Sequence, residues 1–125
     1  MRNFSYTPYS HWNVGAALLT EDGKVYTGCN IENAGYTATN CAERTAIFKA
    51  VSEGELKFKA IAISGGPSGQ DPISYCPPCG ICRQVMREFC KDDFIIYVAK
   101  SLDDYQTFTL GELLPASFGP EDLGK

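Results

Sequence analysis

The chain has 125 residues and a formal net charge of −4, with 44% apolar and 21% charged residues. This length and composition predict one globular domain, spanning residues 1–125, with a single core. The acidic balance and the lack of a Lys/Arg cluster argue against binding nucleic acid through its phosphates. No apolar run is long enough for a membrane span, and the first residues show no signal-peptide pattern, so we expect a cytoplasmic protein without membrane contact.

The first predicted elements form a β-hairpin. Residues 13–19 are mostly apolar and predict a buried strand, and residues 25–29 predict the returning strand. Between them, Asp22 and Gly23 favour a tight turn, because glycine adopts positive φ without strain. The segment 30–40 that follows is polar and predicts irregular structure.

An amphipathic helix is predicted from about Cys41 to Ser52, ending near Gly54, because apolar residues recur there at helical spacing. A short apolar strand is predicted at residues 60–64. The stretch from Gly65 to Pro78 is rich in Gly, Pro and Ser and predicts a loop.

A second helix is predicted from about residue 79 to residue 90, followed by a buried strand at 94–98. Residues 107–110 predict one more strand, and residues 111–114 a single helical turn. Strands that alternate with helices favour an α/β fold. We therefore expect a three-layer α/β/α sandwich around a mixed, roughly five-stranded sheet, with helices on both faces.

Six cysteines are the most unusual feature of the composition. Without an export signal, clustered cysteines more often indicate a metal site than disulfides. Cys41, Cys79 and Cys82 have the spacing of a zinc site, whereas Cys29 and Cys90 stand among apolar residues and predict buried small side chains.

Three thiol ligands would leave the fourth zinc position open, which is typical of catalytic rather than structural zinc. Cys41 and Cys79 each begin a predicted helix, where the thiol pKa is lowered. Three thiolates and Zn²⁺ sum to one negative charge. We hypothesise that Arg44 or Arg83 offsets this charge.

Glu43 is not needed as a zinc ligand, so it is free to transfer protons as the catalytic residue. A second interpretation is open from the residues alone. Asn40 followed three residues later by Glu43 fits a capping box, in which the acid would only stabilise the helix start.

Cys76 allows a competing interpretation of the metal site. Cys76, Cys79 and Cys82 begin like an iron–sulfur run, but Met86 stands where the next cysteine is expected. A closed zinc site in which Cys76 joins the other three thiols is the stronger alternative, and it would make the protein a structural zinc module.

Several blocks in order carry a family resemblance over nearly the whole chain. The blocks are Pro8-Tyr9-Ser10, Val14-Gly15-Ala16-Ala17, Gly28-Cys29-Asn30-Ile31-Glu32-Asn33, Cys41-Ala42-Glu43-Arg44-Thr45-Ala46, Pro78-Cys79-Gly80-Ile81-Cys82-Arg83-Gln84 and Glu112-Leu113-Leu114-Pro115. With these blocks the chain resembles the cytidine deaminase family, of the small, three-cysteine, homotetrameric type.

The resemblance implies roles for further residues. Asn30 and Glu32 match the pair that binds the ribose hydroxyls, and Trp12 matches an aromatic of the nucleoside pocket. Ala42 falls among the substrate-binding positions. Phe118 matches an aromatic that reaches into the active site of a neighbouring subunit.

The resemblance also implies the reaction, the cofactor and the assembly. The expected activity is hydrolytic deamination of cytidine and deoxycytidine to uridine and deoxyuridine, with release of ammonia, in pyrimidine salvage. One zinc ion per subunit and a homotetramer are expected. Related zinc enzymes that act on blasticidin-type antibiotics or on polynucleotides are weaker alternatives, because Asn30 and Glu32 suit a nucleoside and the chain lacks an evident basic groove.

Two departures from the family pattern stand out. Only seven residues precede Pro8, where the family usually has a full helix, so we expect this helix to be short or missing. Trp12 is larger than the usual Phe and is expected to narrow the pocket.

Overall fold

The computed structural model describes all residues from 1 to 125. Five strands form one sheet in the order β2-β1-β3-β4-β5. The strands are β1 (Trp12–Thr20), β2 (Val25–Cys29), β3 (Phe58–Pro67), β4 (Ile95–Ala99) and β5 (Tyr105–Thr109). Only β3 and β4 pair in parallel, whereas all other neighbours are antiparallel. The predicted mixed, five-stranded α/β fold is therefore confirmed.

Three helices connect or follow these strands: α1 (Ala42–Ser52), α2 (Gly80–Phe89) and α3 (Leu110–Leu113). The two longer helices lie within the predicted ranges. Short 3₁₀ turns add to them at Arg2–Phe4, Tyr36–Ala38 and Pro120–Leu123. None of the helices combines the length and the apolar character needed to cross a membrane.

The core lies between one face of the sheet and the two longer helices. Leu18 pairs with Ile61 across β1 and β3, and Ile61 pairs with Ile96 across β3 and β4, so all three side chains share one face. These side chains belong to the same buried cluster as Ile47 of α1 and Met86 of α2. Burial of this one face fixes the position of both helix starts relative to the sheet.

The distribution of the helices differs from the predicted arrangement with helices on both faces. Both longer helices cover the same face, because their buried residues share one cluster with the alternate positions of the strands. The opposite face is met by the 3₁₀ turn at Arg2–Phe4, where Arg2 side-chain atoms lie close to Gly15. The residues that precede β1 thus place a single 3₁₀ turn on this face, whereas both longer helices cover the core face.

Strand β3 is longer than its apolar run predicted. It continues through Pro67, because Gly65 and Gly66 pair with Val14 and Asn13 of β1. Long-range pairing with a neighbouring strand here overrides the local preference of glycine for a loop. The predicted loop therefore begins after Pro67.

Candidate active site and metal centre

Cysteines occupy the N-cap positions of both longer helices. Cys41 is the N-cap of α1 and Cys79 is the N-cap of α2, both with extended backbone. Neither side chain makes a capping hydrogen bond, so both thiols are available to other partners. Cys82 lies one turn inside α2 and is fully buried. The N-terminal ends of the two helices thus bring three thiols together.

The geometry of the three thiols fits one zinc ion. The sulfur atoms of Cys41 and Cys79 are 3.8 Å apart, those of Cys79 and Cys82 are 3.4 Å apart, and all three lie within 4.8 Å of one another. Tetrahedral zinc with bonds of about 2.3 Å places sulfur ligands roughly 3.8 Å apart. No cysteine of the chain forms a disulfide. The donor set is therefore suited to zinc without rearrangement of the backbone.

Cys76 does not belong to this cluster. The group of metal-binding side chains contains the three thiols of Cys41, Cys79 and Cys82, and neither Cys76 nor a carboxylate joins them. Cys76 instead packs at the end of β3, where its sulfur lies against the backbone of Gly65. The closed four-thiol site lacks its fourth ligand, and a three-ligand site keeps one position open.

Arg44 supplies the positive charge beside the cluster. One of its terminal nitrogens donates to the Cys41 sulfur at 3.3 Å and to the Thr39 carbonyl at 3.4 Å. Hydrogen bonds from the Cys82 thiol and from Arg44 lower the pKa of Cys41. The same interaction with Cys41, together with burial, raises the pKa of Cys82.

Arg83, the other candidate for this role, is directed elsewhere. Its guanidinium donates to the carbonyl oxygens of Pro78 and Leu113, each at 2.7 Å. Arg83 therefore joins the start of α2 to the end of α3, and the charge beside the thiols comes from Arg44.

Glu43 is buried in the first turn of α1, with 4% of its surface exposed. Burial raises its pKa to about 7, because a carboxylate loses hydration there. The capping-box interpretation is wrong, because Cys41 rather than Asn40 is the N-cap and no side chain caps the helix. Asn40 donates instead to the Thr45 hydroxyl at 3.1 Å. Glu43 is thus a buried acid of near-neutral pKa, two residues from Cys41.

Asn30 binds the backbone of β1 through its side chain. Its oxygen accepts from the Val14 N–H at 2.9 Å, and its amide nitrogen donates to the Trp12 carbonyl at 2.9 Å. One N–H and one lone pair of the amide are left after these two bonds. Asn30 is therefore held in place and still has one donor and one acceptor.

Glu32 is held by the turn that precedes β1. One carboxylate oxygen accepts from the N–H groups of Tyr9 and Ser10, each at 3.1 Å, and the other accepts from the Ser10 hydroxyl. Partial burial alone would raise the pKa of Glu32, but these hydrogen bonds outweigh it and hold the pKa below its ordinary value. Glu32 is therefore a fixed, ionised acceptor. The contact with Ser10 was not predicted, although Ser10 stands in one of the family blocks.

The three other expected substrate residues have different surroundings. Trp12 begins β1 and is partly buried, whereas Ala42 is fully buried at the first position of α1. Phe118 is 58% exposed, and its carbonyl accepts from the Gln84 side chain of α2 at 2.9 Å. The structure thus presents Phe118 outward from a segment that is tied to the helix carrying Cys82.

An α/β domain with three thiols at two helix starts and a buried acid beside them defines a metal-dependent enzyme of the zinc-hydrolase class. Residues 1–98 match the family model described as "Cytidine and deoxycytidylate deaminase zinc-binding region". The chain belongs to this family. With the three-thiol cluster, the match assigns one zinc ion to each chain.

Individual proteins are similar over nearly the whole chain. The cytidine deaminase of Sporosarcina psychrophila is 52% identical over 98% of this chain and 86% of its own length. The cytidine deaminase of Halalkalibacterium halodurans is 51% identical, over 98% and 89%. Among solved structures, the cytidine deaminase of Burkholderia pseudomallei has 44% identity and a TM-score of 0.84, covering 94% of this chain and 90% of that one.

Proposed function

We propose that this protein hydrolyses cytidine and deoxycytidine to uridine and deoxyuridine, with release of ammonia, in pyrimidine salvage. The observation that carries the proposal is the three-thiol cluster with the buried acid Glu43 in the same first turn as Cys41. The cytidine deaminases named above support the choice of substrate.

The reaction adds water to the ring carbon that bears the amino group and expels that group as ammonia. When bound, zinc acts as a Lewis acid that makes a coordinated water more acidic. Glu43 accepts the proton of the attacking water and delivers it to the ring nitrogen next to that carbon. It then takes the remaining proton of that water, from the hydroxyl now on the ring carbon, and passes it to the departing amine, which leaves as ammonia while the carbonyl forms. Its pKa of about 7 suits both directions of transfer at neutral pH.

Asn30 and Glu32 bind the ribose hydroxyls. The free N–H of Asn30 donates to a hydroxyl oxygen, and the ionised Glu32 accepts a hydrogen bond from a ribose hydroxyl through a remaining lone pair. Both side chains are already fixed by β1 and by the turn before it, so little side-chain entropy is lost on binding. Trp12 and Ala42 complete the nucleoside pocket.

Arg44 offsets the excess negative charge of three thiolates. Its contact with the Cys41 sulfur at 3.3 Å supports this role, because a nearby positive charge favours loss of a proton from the metal site. The chain acts as a single domain over residues 1–125 in the cytoplasm and assembles as a homotetramer. In that assembly, the exposed Phe118 covers the base bound by a neighbouring subunit.

The proposal is tested by turnover of cytidine with purified protein loaded with zinc, followed through loss of the aminopyrimidine absorbance. We expect conversion to uridine and one equivalent of ammonia. Cys76→Ser is expected to keep one zinc per chain and full turnover, because Cys76 is not in the thiol cluster. Folded, zinc-loaded protein without turnover would contradict the proposal, and loss of zinc in Cys76→Ser would support the closed site instead.

A further inference from the structure

The Thr45 hydroxyl joins two segments of the site that are distant in sequence. It donates to the Cys29 carbonyl at the end of β2, at 3.0 Å, and lies 3.2 Å from the Cys41 carbonyl. It also accepts from the Asn40 side chain at 3.1 Å. A single side chain thus contacts the residue before Asn30 and the residue that caps α1.

The backbone beside Thr45 reinforces this connection. Ile31 and Asn40 exchange two N–H···O bonds, each 2.9 Å long, which makes an isolated antiparallel bridge. Gly28 packs directly on α1, because a Cβ there would lie 2.4 Å from the Ala42 carbonyl oxygen. The backbone at residues 28 and 31 therefore contacts the segment 40–46 directly, beside the connection that Thr45 makes.

The two connected segments carry the two halves of the proposed chemistry. One segment bears Asn30 and Glu32, and the other bears Cys41 and Glu43. A nucleoside that spans both halves needs them at a fixed separation, and displacement by about 1 Å is enough to lower rates strongly. A rotatable surface residue would not fix that separation, whereas a partly buried hydroxyl with three polar neighbours does.

We infer that Thr45 is a positioning residue for cytidine deamination: it sets the distance between the ribose-binding segment and the proton-transferring, zinc-binding segment. This inference rests on the proposed function. Thr45 is not one of the residues assigned to the metal or to the substrate, and it acts through Asn30 and Glu32 on one side and through Glu43 on the other.

Thr45→Val tests the inference, because valine has the shape of threonine but leaves the Cys29 carbonyl and the Asn40 amide without their partner. We expect about a tenfold loss in kcat/KM for cytidine and a comparable weakening of uridine binding measured by calorimetry. The zinc content should stay at one per chain. Thr45→Ser keeps the hydroxyl and should restore most of the loss.

A double-mutant cycle separates positioning from a general structural effect. In a Glu32→Gln background the ribose anchor is already weakened, so Thr45→Val should cost much less than in the wild-type background. The same loss in both backgrounds would overturn the inference, as would wild-type kinetics in Thr45→Val. Thr27→Val, at a β2 position whose side chain makes no hydrogen bond, serves as the matched control and should leave kinetics unchanged.

A second variant keeps the test decisive if Thr45→Val unfolds. Asn40→Ala removes the donor to the Thr45 hydroxyl and leaves the backbone bridge to Ile31 in place. Asn40→Ala should also lower kcat/KM, by less than Thr45→Val does, and this loss should again be smaller in the Glu32→Gln background. Wild-type protein without activity on cytidine would contradict the proposed function itself. An active wild type, with Thr45 and Asn40 variants whose kinetics equal those of the wild type, would contradict only the inference.

Discussion

Among single residues, Glu43 shows how its surroundings give a common side chain an uncommon property. An exposed glutamate at a helix start is ionised at neutral pH, and its negative charge interacts favourably with the helix dipole. Burial in the first turn of α1 raises the pKa of Glu43 to about 7. A carboxyl group with this pKa can both accept and donate a proton near neutral pH, as the role proposed for Glu43 requires.

Replacement of Glu43 by Gln tests this role. The amide has the same size but cannot carry the proton, so we expect kcat to fall by about 10³-fold or more, with zinc and the fold retained. Turnover and zinc analysis measure the effect. Glu88→Gln on the exposed side of α2 is the matched control and should be fully active. A Glu43→Gln protein with wild-type kcat would contradict the mechanism.

The charge of Arg44 leads to a prediction about pH. Arg44→Gln removes the cation beside Cys41 and leaves the site more negative, so the proton of the attacking water becomes harder to remove. The acid limb of the kcat/KM profile should move to higher pH, by up to about one unit, which corresponds to about 1.4 kcal/mol. Arg44→Lys, which keeps the charge, should shift less. Identical profiles for the wild type and the Gln variant would exclude the role.

At the scale of elements, the contact between β2 and α1 determines where α1 begins. The end of β2 approaches the first turn of α1 so closely that no side chain fits between them at position 28. The helix start therefore takes its position from direct contact with a strand backbone, and the Thr45 hydrogen bond to the Cys29 carbonyl adds to this contact. This explains how Cys41 and Glu43 are held before any ligand binds.

Gly28→Ala is expected to separate these two elements. The added methyl group would overlap the Ala42 carbonyl at 2.4 Å and the Ala46 nitrogen at 2.6 Å. We expect a loss of about 1–3 kcal/mol in the free energy of unfolding, measured by urea denaturation, together with reduced turnover. At Gly80, a Cβ meets nothing within 4 Å, so Gly80→Ala should leave stability unchanged or slightly higher. Equal stability of the two variants would contradict this packing argument.

The elements that the sequence predicted well are those whose pattern is local. The hairpin at residues 13–29 and both longer helices follow from alternation, helical spacing and turn residues. The extension of β3 to Pro67 could not be predicted, because it depends on pairing of Gly65 and Gly66 with a distant strand.

Within the candidate site, the three thiols were predictable from spacing, whereas the orientation of side chains was not. Asn40 and Glu43 have the sequence of a capping box, yet the N-cap is one residue later and the Asn40 side chain donates to Thr45 instead. Arg44 and Arg83 were equivalent in sequence, and only the fold directs one to a thiol and the other to carbonyl groups.

For the whole molecule, the carboxyl-terminal segment is held against α2 and leaves one aromatic ring exposed. Arg87 of α2 donates to the Ser117 hydroxyl at 2.9 Å and to Glu121 at 2.8 Å. Gly119 packs on the Arg87 guanidinium so closely that a Cβ would lie 2.4 Å from it. These contacts fix the segment on both sides of Phe118, while the aromatic ring itself is largely exposed.

Phe118→Ala tests whether this ring completes a neighbour's active site. We expect KM for cytidine to rise by about tenfold, because an aromatic contact over the base is lost. Leu123→Ala, which also removes an exposed apolar side chain of the same segment, is the control.

Mixed assembly makes the test of Phe118 specific. Phe118→Ala subunits retain Glu43, and Glu43→Gln subunits retain Phe118, so mixed assemblies of the proposed homotetramer should regain wild-type affinity at some sites. Mixtures whose activity and KM are only the average of those of the two variants would contradict a shared site.

The exposure of the three thiols has a consequence for metal exchange. Cys82 is fully buried, Cys41 is partly covered and Cys79 is exposed, so the site is open to solvent at Cys79. A chelator or a metal donor can therefore approach along the Cys79 side while the core face of α2 stays closed. Loss and recovery of zinc should then be reversible in the folded protein. The activity of a preparation would depend on how much zinc it has lost or taken up, and not on the fraction of protein that is folded.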